Sequence, residues 1–354
     1  MGVAATRHPK TLTTAAGVST VISETMAVAD SAATAEHPAS SATLEPALAY
    51  VLRQIAVPAS VRTDPQIVQM LALVRERFGD SLDAVLIYGS YLRGQRDTVL
   101  DFYALLDNYR CLPVWQGVLC RLLPPNVYDL ALGSGAESVQ AKCAGMRLRR
   151  FASAVRNDFH SYFWARFAQP SLLLYCRDES VRQRVAGALV DAATRFLRQV
   201  LPTLPKQTTT REIWIRGLAL TYQAELRAER SGHGDSLVDS NLAYLQTLTQ
   251  LLATAGSVPL QAATAPGEWH NRSSALKRRL QAVGWWLRRW QGKPLSLARI
   301  AKAATMFAAP LDYLLWKIER HSGIHVEATA RQRRYPLIFA WSLLWRLYRR
   351  GAFK

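Results

Sequence analysis

The sequence predicts an α+β protein in which a small mixed-sheet domain is followed by a helical domain and a basic amphipathic C-terminal region. Two short apolar runs, 84–88 and 99–106, are rich in Val, Leu, Ile and aromatic residues, as buried strands are. Further along the chain, apolar residues recur at helical spacing in four segments, at 160–167, 181–200, 211–230 and 240–254. Strands therefore come first and helices dominate later.

The elements around the first two runs have recognisable boundaries. Asp64-Pro65 predicts the start of a helix that ends at Gly79 and leads into the first strand. After the second strand, the pattern predicts a helix over 114–123 that Pro124-Pro125 terminates, and a third strand over 127–132.

The length of 354 residues favours two domains with a tail. Residues 1–45 are rich in Ala, Ser and Thr, which indicates a disordered or targeting extension, with order beginning near Leu48. The predicted domains are a mixed-sheet domain at 46–155, a helical domain at 156–256 and the basic region at 269–354. Two prolines and a glycine within 257–268 indicate a linker.

The net charge of +18 is concentrated at the C-terminal end. Residues 271–354 contain 18 Lys and Arg but only 3 Asp and Glu, together with six of the ten tryptophans. This distribution predicts an anionic partner for that region, either nucleic acid or an anionic membrane surface.

The four cysteines show no CxxC spacing, which argues against a disulfide framework or a zinc site and favours a reducing compartment. No apolar run reaches the roughly 18 residues needed to span a bilayer. A membrane-associated form of the protein would therefore lie on the surface.

The turn between the first two strands carries the main chemical signal. Gly89-Ser90 follows the first strand, and Asp101 stands at the start of the second. A Gly-Ser turn lets backbone N–H groups and a hydroxyl approach phosphate oxygens, and a neighbouring carboxylate can hold the Mg²⁺ of a nucleoside triphosphate. The pattern indicates a nucleotidyltransferase site.

One position departs from the usual pattern of this superfamily, which places two acidic residues two apart on the second strand. Tyr103 occupies the second position, so Asp107 and Asp129 are the candidates for a second metal carboxylate. Asp129 lies on the predicted third strand, and it reads equally well as a carboxylate exposed to water.

The run YGSYLRGQ followed by LDFYALLDN resembles the mitochondrial-type CDP-diacylglycerol synthases (phosphatidate cytidylyltransferases) and their bacterial relatives. The matching residues are Gly89, Ser90, Gln95, Leu100, Asp101, Phe102 and Asp107. Asn108 stands where the family usually has a second acid. The segment KCAGM would supply the family's lysine as Lys142.

Two later segments extend the resemblance to about residues 80–230. The run SYFWARFAQPSLLLY at 161–175 resembles a family segment in which a helix leads into a proline. The run IRGLALTYQAELRAE is similar to a late helix of the family that carries a Thr-Tyr pair and an arginine, here Thr221, Tyr222 and Arg227.

The resemblance implies transfer of CMP from CTP to phosphatidate, with Mg²⁺, to give CDP-diacylglycerol and pyrophosphate. The implied nucleotide-binding residues are Gly89, Ser90, Gln95, Arg93 and Lys142; Asp101 and Lys142 are the implied catalytic pair. Because the phosphate of phosphatidate is already an anion, such an enzyme needs little general-base help, which fits a site with few carboxylates. Arg96 is a further candidate for the phosphates.

The C-terminal run PLIFAWSLLWRLYRRGAFK suits a lipid substrate. We expect this helix to lie in the interface with Trp341 and Trp345 among the headgroups and Arg346, Arg349 and Arg350 on anionic lipid. The run 277–293 repeats the same basic and aromatic chemistry. The expected location is peripheral, on the cytoplasmic face of a bacterial inner membrane or the matrix face of the mitochondrial one.

Two rival interpretations stay open. The chain could be a nucleotidyltransferase that acts on RNA or another non-lipid acceptor through its basic region. It could also be a non-catalytic membrane-associated relative, since Tyr103 replaces an acid. The lipid interpretation expects CTP, phosphatidate and an anionic membrane as partners and no nucleic acid.

Overall fold

The computed structural model describes residues 41–95, 98–133, 139–225 and 233–306. Its α+β architecture combines a mixed five-stranded sheet with a majority of helix. The described part contains the following helices: α1 Ser41–Gln54, α2 Ala59–Arg62, α3 Pro65–Phe78, α4 Val114–Leu122, α5 Leu148–Asn157, α6 Trp164–Phe167, α7 Glu179–Val200, α8 Thr210–Ala224, α9 His233–Asp239, α10 Leu242–Thr254 and α11 Ala275–Met306. The strands are β1 Leu82–Tyr88, β2 Leu100–Leu106, β3 Asn126–Leu132, β4 Val139–Arg147, β5 Leu172–Cys176, β6 Gln207–Thr209, β7 Leu260–Ala262 and β8 Glu268–Asn271.

The five-stranded sheet has the order β3-β4-β2-β1-β5. Strands β2 and β4 pair in parallel and the other neighbours pair antiparallel, so the sheet is mixed. Because β1 and β2 are antiparallel neighbours inside the sheet, the turn after β1 lies beside the start of β2. This end of the two strands carries the predicted Gly-Ser motif.

Helix α3 covers one face of the sheet. Asp64 caps the helix by accepting a hydrogen bond from the backbone N–H of Gln66 at 3.0 Å, and Pro65 occupies its first turn, as the sequence predicts. Its buried Phe78 packs edge-on against Tyr128 of β3, with ring centroids 5.7 Å apart. This contact packs α3 against the face of the sheet opposite to the Asp101 side chain.

Helices α5, α6 and α7 cover the opposite face. Tyr103 of β2 is fully buried there between Phe151 of α5 and Phe167 of α6, with centroids 5.8 and 4.8 Å away. Its hydroxyl donates to the Met146 sulfur at 3.1 Å. The position at which the predicted nucleotidyltransferase pattern would have a second acid is thus part of the aromatic core.

Several sequence predictions about local structure were wrong. Residues 257–268 are not simply a linker, because β7 and β8 form a three-stranded sheet with β6, and the buried Leu260 and Trp269 anchor it. Residues 160–167 are helical only from Trp164, since the His160 ring accepts the Tyr162 N–H at 3.1 Å in an irregular segment. The strand β5 falls in a stretch whose sequence suggested only helices, and α1 begins at Ser41, before the predicted start of order.

Helix α11 packs against α8 and β3. Trp285 and Arg288 are buried: the Trp285 indole donates to the Gln199 carbonyl at 3.1 Å, and the Arg288 guanidinium donates to the Phe159 carbonyl at 2.7 Å. The same helix exposes Trp286 and Trp290. One side of the basic run 277–293 therefore packs against the core, and the other side faces solvent.

Candidate functional site

The site is built around the turn that follows β1. Gly89 has φ +90° and ψ −150°, a region that essentially only glycine occupies. A β-carbon at this position would lie 2.8 Å from the Asp101 Oδ2 atom. The absence of a side chain therefore lets the Asp101 carboxylate lie directly beside the turn.

The residues after Gly89 form a short 3₁₀ turn, Ser90–Arg93, held from two directions. The Ser90 and Thr98 hydroxyls lie 2.7 Å apart, which ties the turn to the approach to β2. The Tyr91 hydroxyl donates to the Asp64 carboxylate at 2.5 Å, which ties it to α3. The turn is thus tied to both of its neighbouring elements.

A cavity of about 320 Å³ opens over this turn. The part of its lining that comes from the sheet and the turn consists of Tyr88, Gly89, Ser90, Leu92, Arg93 and Asp101. The helices and their connections supply Arg166, Gln169, Pro170, Tyr222, Leu237 and Asn241. The cavity therefore brings the predicted motif together with residues far along the chain.

Two arginines give the cavity its positive charge. Burial lowers the pKa of Arg93, while the nearby Tyr222 and Asp101 raise it. Burial also opposes the charge of Arg166, but Tyr162, Tyr88 and two nearby carboxylates outweigh it and hold the pKa of this arginine well above its usual value. Both side chains remain cationic at neutral pH, on a cavity that also contains Asp101.

Arg166 is held by aromatic residues. Its Nη1 atom donates to the Tyr88 hydroxyl at 3.3 Å, and its guanidinium lies 4.6 Å from the centroid of the Tyr162 ring. Burial raises the pKa of Tyr88, which keeps its hydroxyl protonated. These contacts place the cation on the lining of the cavity.

The sheet register places Asp101, Lys142 and Asp129 in a row. Asp101 of β2 pairs with Lys142 of β4, and Lys142 pairs with Asp129 of β3. Paired residues project from the same face of a sheet, and adjacent strands are about 4.8 Å apart. Lys142 therefore stands between two carboxylates, one strand away from the cavity wall.

Asp129 is an unusual member of this row. Its Oδ1 atom is buried, and no residue in the described part of the chain gives it a hydrogen bond. Burial raises the pKa of Asp129, while the charge of Lys142 lowers it. The interpretation as a carboxylate exposed to water is therefore wrong for this oxygen.

The structure does not bring every candidate to the cavity. Asp107 lies beyond the far end of β2, roughly 20 Å along the strand from Asp101 at about 3.4 Å per residue, and accepts from the Asn108 amide at 3.1 Å. Gln95 is exposed and donates its backbone N–H to the Ser90 carbonyl at 3.3 Å. Arg96, Arg227 and the residues of the C-terminal run, Trp341, Trp345, Arg346, Arg349 and Arg350, lie outside the described residues.

Sequence reasoning missed most of the lining that comes from the helices and their connections, including Arg166, Gln169, Leu237 and Asn241. Arg166 and Gln169 lie within the run 161–175, whose family resemblance marked the segment but not these side chains. Asn241 and Leu237 come from the connection between α9 and α10 and its preceding helix, where no motif drew attention to them. Only the fold reveals that these positions face the Gly-Ser turn.

The donor set suits Mg²⁺ held jointly with a triphosphate. Among the described residues there is no cluster of three His, Cys, Asp or Glu side chains that could hold a metal ion by itself. Mg²⁺ commonly takes one or two protein carboxylates and completes its shell with phosphate oxygens and water. Asp101, beside the Gly-Ser turn, fits that arrangement.

Comparison with protein-family models gives no match, and comparison with curated proteins finds no relative. Within the described part of the chain, no helix is both long and apolar enough to cross a membrane.

Proposed function

We propose that the protein is a phosphatidate cytidylyltransferase that transfers CMP from CTP to phosphatidate at a membrane surface. The observation that carries the proposal is the contact between Gly89 and Asp101 at a cavity that also contains Arg93 and Arg166. This arrangement combines a backbone approach for phosphates, a metal-binding carboxylate and two cations. The family resemblance of the Gly-Ser and Leu-Asp-Phe motifs supplies the substrates.

In the proposed reaction, a phosphate oxygen of phosphatidate attacks the α-phosphorus of CTP. The new oxygen–phosphorus bond forms as the bond to the bridging α–β oxygen breaks, and pyrophosphate leaves with the electron pair. No proton has to be removed from the attacking oxygen, because it is already anionic at neutral pH. The protein's task is to align the two anions and offset their charge.

The side chains divide this task by position. The Ser90 hydroxyl and the backbone N–H groups of its turn would hold triphosphate oxygens, and Arg93 and Arg166 would offset their charge. Asp101 would hold Mg²⁺, which supplies further charge neutralisation when bound. Lys142, next to Asp101 in the sheet, would stabilise charge from the β4 side and keep Asp101 correctly placed.

Helix α11 supports a lipid surface over a nucleic acid as the partner. Its exposed apolar residues recur at spacings typical of one helical face: Leu276, Leu280, Val283, Trp290 and Leu297. Trp286, also exposed, lies near Trp290 with ring centroids 6.0 Å apart. Basic residues on the same helix, including Arg289 and Lys293, are exposed too. A nucleic-acid surface needs the cations but not the apolar row.

The test is CMP transfer by the full chain, with CTP, Mg²⁺ and vesicles containing phosphatidate, scored by pyrophosphate release and by the mass of the lipid product. We expect Asp101→Asn to lower the rate at least 100-fold, in line with loss of a metal-holding group. The matched control is Asp107→Asn, which removes a carboxylate at the far end of the same strand and should leave the rate within about twofold.

Two results would overturn the proposal. The first is the absence of phosphatidate-dependent pyrophosphate release by the wild-type protein. The second is equal activity of Asp101→Asn and Asp107→Asn. Transfer to an RNA acceptor, with binding to RNA but not to anionic vesicles, would instead favour the rival nucleotidyltransferase.

A further inference from the structure

The part of the cavity lining that comes from the helices and their connections carries two side-chain amides. Gln169 lies in the connection between α6 and β5, and Asn241 lies just before α10. If the triphosphate binds at Ser90, as the proposed function requires, the rest of the nucleotide would extend along the remaining lining of the cavity. The following inference rests on that proposed function.

Asn241 has a fixed orientation. Its Nδ2 atom donates to the Leu237 carbonyl at 2.8 Å and to the Ser240 hydroxyl at 3.2 Å. Both amide hydrogens are thereby engaged. The Oδ1 atom accepts a hydrogen bond from none of the described residues, so Asn241 offers the cavity an acceptor and no donor.

Gln169 is fixed in a related way. Its Nε2 atom donates to the Ala165 carbonyl at 3.0 Å, which engages one amide hydrogen with the preceding helical turn. No residue in the described ranges donates to its Oε1 atom. Gln169 therefore offers an acceptor oxygen together with one remaining N–H donor.

These groups complement one class of nucleobase. Cytosine and adenine present an exocyclic amine next to a ring nitrogen that accepts, whereas uracil has no exocyclic amine and presents a carbonyl next to a ring N–H. A fixed amide oxygen accepts from the amine but repels the carbonyl, and the remaining N–H of Gln169 suits the ring nitrogen. The Tyr222 ring and Leu237, which line the same cavity, supply apolar surface for the base.

We infer that Gln169 and Asn241 form a nucleobase subsite that selects bases with an exocyclic amine over uracil. The selection comes from two acceptor oxygens that the backbone holds in place. Such a site rejects uracil strongly, because its carbonyl covers the acceptors without pairing them and places like dipoles together.

The experiment measures dissociation constants of CTP, UTP, ATP and GTP with Mg²⁺ on the full chain by calorimetry. We expect the wild-type protein to bind CTP at least tenfold more tightly than UTP, since one discriminating hydrogen bond is worth about tenfold. The CTP and ATP arms then show whether a pyrimidine or a purine fits better. Equal binding of CTP and UTP would overturn the inference.

Two substitutions test the assigned residues. Gln169→Met and Asn241→Leu should each reduce the ratio of CTP to UTP affinity by roughly tenfold or more. Because Asn241 also stabilises the turn before α10, loss of its side chain could act through folding. Thermal melting of both variants detects such an effect, and Gln169→Met tests recognition without changing that turn. The matched control is Gln183→Met on the exposed face of α7, which should preserve the ratio. Folded variants that bind CTP more weakly at an unchanged ratio would overturn the assignment.

The inference and the proposed function fail differently. Phosphatidate-dependent transfer without base discrimination would refute the subsite and keep the function. Selective binding of CTP or ATP without transfer to phosphatidate would refute the function and keep the subsite. Absence of binding by all four nucleotides would refute both.

Discussion

At the scale of single residues, the site depends on a glycine that lets two elements approach. Gly89 combines a backbone conformation that L-residues rarely adopt with the closest approach of Asp101. The structure offers a natural comparison in Gly94, which also has positive φ, but a β-carbon on Gly94 would have no atom of another residue within 4 Å. Comparing substitutions at Gly89 and Gly94 therefore separates the effect of backbone strain from that of steric overlap with Asp101.

We predict that Gly89→Ala lowers CTP affinity at least tenfold, because the added methyl displaces the Asp101 carboxylate and strains the turn. Gly94→Ala should cost about 1–2 kcal/mol of backbone strain and leave CTP affinity largely intact. Calorimetric titration of CTP with Mg²⁺ into both variants, alongside thermal melts, measures the difference. Equal losses of affinity in the two variants would show that backbone strain alone matters.

A second residue-scale feature is the buried His160. Burial lowers its pKa to about 4, an effect that the nearby Glu225 opposes and that Arg299 and Arg288 reinforce. Its Nε2 atom is buried without a hydrogen-bond partner among the described residues. His160 is therefore neutral in the folded protein at all pH values above that pKa.

This pKa predicts acid destabilisation. Between about pH 6.5, where an unfolded histidine titrates, and pH 4, the unfolded chain binds a proton that the folded chain does not. The free energy of unfolding should therefore fall as the pH drops through this window, by at most about 3 kcal/mol from this group. Urea unfolding at several pH values should show a shallower dependence in His160→Gln, whereas His270→Gln, at an exposed position, should retain the wild-type slope.

At the scale of elements, the row across β2, β4 and β3 shows how the sheet arranges charge. Lys142 has a carboxylate on either side, Asp101 toward the cavity and the half-buried Asp129 away from it. A second metal-binding carboxylate would have to reach across the lysine. If the proposed Mg²⁺ binds, the sheet therefore favours Asp101, which lines the cavity, over Asp129 as its carboxylate.

Helix α11 is seated on the rest of the fold through another glycine. A β-carbon on Gly292 would overlap the Ala224 carbonyl oxygen at the end of α8 and come within 2.7 Å of His160 Nε2. On the same helix, a β-carbon on Gly284 would meet only the ends of the Arg288 and Gln281 side chains, at 3.2 and 3.5 Å, and no backbone atom within 4 Å. The two positions share a helical backbone but differ in their neighbours.

We predict that Gly292→Ala destabilises the protein by about 2–3 kcal/mol, the cost of overpacking a close contact. Gly284→Ala should be neutral or stabilising by up to about 1 kcal/mol, because alanine favours a helix over glycine. Chemical denaturation of both variants provides the measurement. Similar stability of the two variants would mean that α11 is not held closely against α8.

At the scale of the whole molecule, the sequence predicts those elements whose signals lie close together in the chain. The bounds of β1, β2 and β3 and the capped start of α3 follow from apolar runs, turns and a capping residue, all within a few positions of one another. Strand β5 escaped prediction because its apolar run is short and follows a helical pattern, so only its pairing with β1 makes it a strand. Strand pairing is a tertiary property.

The candidate site divides in the same way. Gly89, Ser90, Arg93 and Asp101 could be predicted together, since one turn and its two strands supply them all. Arg166 and Asn241 join them only through the packing of the helical part on the sheet, which no local pattern records. The proposed lipid substrate and membrane contact depend both on the local motif and on this packing.

Membrane contact is the prediction that involves the whole molecule, because the proposed lipid substrate would have to reach the cavity from a surface. Trp286 and Trp290 are 55% and 68% exposed on α11, next to exposed cations that anionic headgroups attract by about 1 kcal/mol each. We predict that the double substitution Trp286→Ser and Trp290→Ser lowers binding to phosphatidate-containing vesicles at least tenfold, measured by cosedimentation.

Trp115→Ser, which removes a tryptophan 49% exposed on α4, should leave vesicle binding unchanged. Raising the salt concentration should weaken binding of the wild-type and the double variant alike, because the cations remain. Full vesicle binding by the double variant would exclude this face of α11 as the membrane contact.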